Sequence, residues 1–214
     1  MPSESFKVFK NEYMKDIEKI ISNYETIKGL GRGRRSLDHL MRSGVMLLAA
    51  AWEVYIEEVL YESSIFVANN LSPDNLPLDV KKVISREVVK EVKKNELAPL
   101  LKIHGDNWKD YYLEIVWRDI EKLNTPKEKN INNLFKTYLG VDEITSNYRQ
   151  STLDDFISYR GEIAHRMKAT EYLKIEIFTS YVKLINHLVE DTDIYLYSYL
   201  KGLAAKTPWN NTYK

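Results

Sequence analysis

Apolar residues recur along this chain at steps of three and four, the period of an amphipathic helix, and no stretch alternates as a half-buried strand would. Phe6, Phe9, Tyr13, Ile17, Ile20, Ile21 and Tyr24 predict a first helix from about Ser5 to Lys28, broken by Gly29, Gly31 and Gly33. Val45, Leu48, Trp52, Tyr55, Ile56 and Val59 form the strongest stripe, on a second helix ending near Asn69-Asn70. Its flanks, Leu47, Ala49, Ala50 and Ala51, are apolar too, which predicts a central helix packed on several sides.

The stretch LSPDNLPL reads as a loop, followed by a third helix capped by Asp79 and running from Val80 to about Glu96. A fourth helix spans Trp108 to Leu123, and a fifth runs from Asn130 to Leu139, where Gly140 closes it. Ser151 is placed to cap a helix with Asp154 and Asp155 in its first turn, ending around His165 to Lys168. Thr170 would cap the last long helix, with Leu173, Ile177, Tyr181, Leu184, Ile185 and Leu188 inward and an end near Leu200. The expectation is an all-α protein: one helical domain over residues 1–205, with residues 71–148 inserted between the halves of a four-helix bundle, and a loose tail over 206–214.

Composition narrows the chemistry. Lys+Arg and Asp+Glu both number 31, so attraction to nucleic acid or to an anionic membrane must come from a local patch. There is no cysteine, which excludes thiol catalysis and cysteine-based zinc sites. His39, His104, His165 and His187 share no metal-binding spacing, so no metal or cofactor is expected. The longest apolar run, Val45 to Trp52, is eight residues, against roughly 20 for a membrane span. With no signal-peptide pattern at the charged N-terminus, the expected location is the cytoplasm.

The stretch ISYRGEIAHRMKAT holds the candidate chemistry, Arg160 and His165. Arginine can grip a phosphate through two hydrogen bonds and stabilise negative charge as it develops. Histidine can move a proton near neutral pH. Together they suit metal-free RNA cleavage by attack of a ribose 2′-hydroxyl on the adjacent phosphate. On a regular helix, however, a five-residue step leaves the two side chains roughly 140° apart. Either the turn unwinds at Gly161, or the groups converge only across a symmetric partner. The competing reading is structural: cationic groups complement the dipole at a helix C-terminus.

The stretch YRGEIAH resembles the motif of the HEPN superfamily, an arginine followed after four to six residues by a histidine. The segment RRSLDHLMRSGVMLLAAAWEVYIEEVLYES is similar to the second helix of the RiboL-PSP-HEPN branch and of the nearby MAE-type groups. The resemblance implies a helical bundle that forms a homodimer, in which two facing motifs make one RNA-cleaving site. It also implies a toxin or phage-defence setting, with an antitoxin or defence-system protein as a further partner. Other members of the superfamily are non-catalytic modules that bind RNA or protein. Two positions depart from the pattern: Gly161 stands where a polar residue often follows the arginine, and Ala169 where one subgroup has tyrosine. Tyr159, Glu162 and Glu53 are the expected supporting residues, Glu53 because it borders the stripe of the second helix. Arg32, Arg34 and Arg35 form a dense basic loop that could grip phosphate or stand as a solvated turn, and with Arg166 and Lys168 they are the expected RNA contacts.

Overall fold

The structure is a computed structural model that describes residues 2–29, 37–94, 100–101, 103–148, 152–166 and 173–209. The chain is all-α, and no strand occurs among the described residues. The first helical segment comprises α1 (Glu4–Val8), a π turn (Phe9–Tyr13) and α2 (Met14–Gly29). The π turn adds one residue to the register, so burial steps from Phe9 to Met14 and Ile17, leaving the expected Tyr13 only half-buried. The Tyr13 hydroxyl donates to Glu58 Oε1 at 3.0 Å.

The long α3 (Asp38–Asn70) is the axis of the fold. Trp52, Tyr55, Ile56, Val59 and Leu60 are fully buried along it. Burying tyrosine and tryptophan requires partners for their polar atoms. Tyr55 donates to the Val189 carbonyl at 3.1 Å, and Trp52 Nε1 to the Pro126 carbonyl at 3.2 Å. Close approach to the last helix depends on Gly44, where a Cβ would lie 2.5 Å from the Phe178 ring. The expectation that both flanks of the α3 stripe are covered holds for Ala49 and Ala51. Leu47 and Ala50 are instead exposed, because α2 and the motif-bearing helix pack on either side of them without meeting.

Shorter helices follow, among them α4 (Leu78–Val92), α5 (Trp108–Ile120) and α6 (Glu128–Leu139). Asp79 is not the cap of α4. It sits inside the first turn, after Pro77, and pairs with Lys82. The stripe Trp108, Tyr112, Ile115, Val116 and Ile120 is buried as expected, and Leu123 is buried in the turn beyond the helix. Gly140 ends α6 in the left-handed region, at φ 77°, which glycine adopts at least cost.

The motif lies on α7 (Leu153–Arg166), and the chain closes on α8 (Ile175–Ala204). The expected caps Ser151 and Thr170 lie outside the described residues. Helix α8 starts later than expected, with Lys174 as its N-cap, so Leu173 is buried in an extended lead-in where its N–H donates to Asp38 Oδ1 at 3.1 Å. Within the expected loose tail Trp209 is only 6% exposed, and residues 210–214 lie outside the described residues. At the other end, Ser3 caps α1 and is itself held by the buried Asp193 of α8. The Ser3 N–H lies 3.1 and 3.3 Å from the two carboxylate oxygens, and its hydroxyl also donates to Asp193. Glu62 of α3 accepts from the Glu4 and Ser5 N–H groups at 2.9 and 3.0 Å.

Candidate active site

Helix α7 is held at its N-terminal end by α6. Asp154 Oδ1 accepts from the Glu128 N–H at 3.0 Å, and Lys127 Nζ donates to Ser158 Oγ at 2.9 Å. Leu153, Phe156, Ile157 and Ile163 turn inward. The Phe156 and Tyr159 rings meet Tyr181 of α8 at 5.0 and 5.9 Å, which makes Tyr159 part of the α7–α8 packing.

The helix runs unbroken through Gly161, so it does not unwind there. Arg160 shares the angular sector of the buried residues and is half-buried, facing α3. His165, roughly 140° around the same helix, is exposed one residue before the helix end. Glu162 is exposed as well. One chain therefore turns its arginine inward and its histidine outward.

Arg160 makes no hydrogen bond or ion pair among the described residues, but its charge acts on Glu53. Burial raises the Glu53 carboxyl above its ordinary range, and Arg160 partly opposes that rise. One turn further on, Glu57 is pushed up to about 7, first by burial and then by repulsion from Glu53, Glu58 and Glu121.

Beside this pair, an open cleft of about 720 Å³ separates the first half of α3 from the end of α7. Met46, Leu47, Ala50, Ile163 and Ala164 form its apolar walls, and His39, Arg42 and Ser43 its polar part. Arg42 is ion-paired with Asp38, the carboxylate that also receives the Leu173 N–H. His39 and Arg42 are the residues that sequence reasoning passed over. Their three-residue spacing on one helix face is the signal that could have drawn attention to them. Arg166 ends α7, while Arg32, Arg34, Arg35 and Lys168 lie outside the described residues. No group of metal-ligating side chains is present among the described residues, and no helix among them is long and apolar enough to cross a membrane.

The all-α bundle with Arg160 and His165 on its penultimate long helix is what the HEPN resemblance implies. The sequence model of one branch, RiboL-PSP-HEPN, matches residues 10–198, and the chain belongs to that family. No curated protein and no solved structure matches it.

Proposed function

We propose that this protein is a metal-independent endoribonuclease whose active site is composed of two chains. The observation that carries the reading is the unbroken α7, which turns Arg160 toward α3 and His165 outward, beside an open and largely apolar cleft. A second copy seated along Leu47, Ala50 and Ala164 would cover that apolar wall and bring the histidine of one chain to the arginine of the other. Arg160 then holds the scissile phosphate and stabilises its developing charge. His165 moves the proton of the attacking 2′-hydroxyl or of the leaving 5′-oxygen. Glu53 supplies a nearby carboxyl whose charge Arg160 favours. Atoms balance without a metal: the 2′-oxygen bonds to phosphorus as the 5′-oxygen leaves, giving a 2′,3′-cyclic phosphate. A toxin or defence role, opposed by a partner protein and confined to the cytoplasm, belongs to the same proposal.

The departure at Gly161 favours a second reading, a non-catalytic module that binds RNA or protein. Incubation of wild type, Arg160→Ala and His165→Ala with total RNA in EDTA separates the two. Cleavage to cyclic-phosphate ends by wild type alone, at equal melting temperatures, supports the nuclease. No cleavage by wild type, together with RNA retention by all three proteins, supports the module.

A further inference from the structure

A second surface lies apart from the motif, where α5 crosses α3. Trp117 of α5 is 49% exposed, and its ring meets that of the half-buried Tyr61 edge-on at 5.1 Å. One turn along α3 from Tyr61, Ile65 is 37% exposed. Large apolar side chains are commonly exposed singly. An aromatic pair continuous with an aliphatic side chain is a patch that asks for a partner.

The border of the patch is acidic. Glu57 lies one turn from Tyr61 on α3, and Glu121 lies one turn from Trp117, at the end of α5. Burial first, then repulsion from Glu53, Glu58 and Glu121, pushes the Glu57 carboxyl up to about 7, so these carboxylates crowd one another through space. The neighbouring cations of α5 are committed elsewhere. Arg118 pairs with Glu87 at 3.0 Å and Asp119 at 3.2 Å, and Lys122 with Asp119 at 2.7 Å. Among the described residues, the face therefore gathers unpaired carboxyl groups, the exposed Glu121 foremost, around an exposed indole.

We propose that the Trp117–Tyr61–Ile65 face, bordered by Glu57 and Glu121, is the docking site of a basic polypeptide segment, in which arginine or lysine flanks an apolar side chain. A guanidinium laid over Trp117 gains a cation–π contact while meeting a carboxylate at its edge. The apolar side chain between the cations covers Ile65. RNA is disfavoured here, because its phosphates would face the same carboxylates that already repel one another. The proposal is independent of the nuclease reading, since neither Arg160 nor His165 touches this face.

The test is a fluorescein-labelled synthetic peptide of alternating arginine and leucine, titrated into the full chain at physiological salt and followed by anisotropy. Saturable binding is expected, weakened about tenfold by Trp117→Ala. Glu121→Lys, at an exposed position that leaves packing untouched, should weaken it comparably. Arg160→Ala should bind as wild type. The carboxylate control pair Asp142→Asn and Glu143→Gln, on a different surface, should also leave binding unchanged. Binding that falls equally in that control, or that ignores both Trp117→Ala and Glu121→Lys, would overturn the proposal. So would a single-stranded RNA oligonucleotide that binds the wild type and is lost on Trp117→Ala, because the occupant would then be RNA.

Discussion

Replacing Asp193 with asparagine tests how the two ends of the chain are joined. Asp193 is fully buried on α8, and it receives the N–H and hydroxyl of Ser3. Burial disfavours its charged form, while the Ser3 hydrogen bonds favour it. Burial wins, raising the carboxyl from 3.8 to about 6, with repulsion from Glu62 adding to the rise. The folded protein therefore holds a proton between about pH 4 and 6 that the unfolded chain has released. Stability from this group is fully present below the unfolded value of 3.8 and is lost as pH rises through about 6. Moving a carboxyl over that interval is worth about 3 kcal/mol. The amide that replaces the carboxyl cannot ionise. The wild type should therefore lose up to about 3 kcal/mol relative to Asp193→Asn between pH 4 and pH 8. Urea titrations of both proteins across that range, read by tryptophan fluorescence, give the difference directly and cancel the carboxylates they share. A difference that stays flat from pH 4 to pH 8 would refute the reasoning, since Asp193 would then titrate alike in both states.

Two further substitutions probe the helices that frame the cleft. Gly44→Ala drives a methyl into the buried Phe178 ring; overpacking of about 1–3 kcal/mol outweighs a helix-propensity gain of about 1. The expected net loss appears as a lower melting temperature, and it should shrink when Phe178→Leu is made as well. An equal loss in both backgrounds would remove the ring as its cause. Gly161→Ala adds a Cβ that meets nothing within 4 Å, so it should stabilise by about 1 kcal/mol; a lower melting temperature would show that the motif turn is not helical in solution.

The stripes on α3, α5 and α7 were legible because each buries a run of large side chains at constant helical period. Trp108, Tyr112, Ile115, Val116 and Ile120 are one example. The π turn was not legible, because one extra residue merely exchanges Met14 for Tyr13, both apolar in pattern. Asp79 looked like a cap because aspartate favours that position, but Pro77 set the start of α4 earlier. At the site, the step from Arg160 to His165 already implied opposite sides of a helix. The sequence placed Glu53 beside the core stripe, but the influence of Arg160 on it depends on how α7 packs against α3. The cleft with His39 and Arg42 was not readable, because it depends on where α7 crosses α3 and leaves Leu47 and Ala50 uncovered.

The clasp between Ser3 and Asp193 spans 190 positions of sequence, and this sets a schedule for the protein's birth. A ribosome adding about 5–20 residues per second needs on the order of 10–40 s to make the partner that the first turn is waiting for. Through that interval the N–H and hydroxyl of Ser3 lack the carboxylate that receives them in the finished molecule.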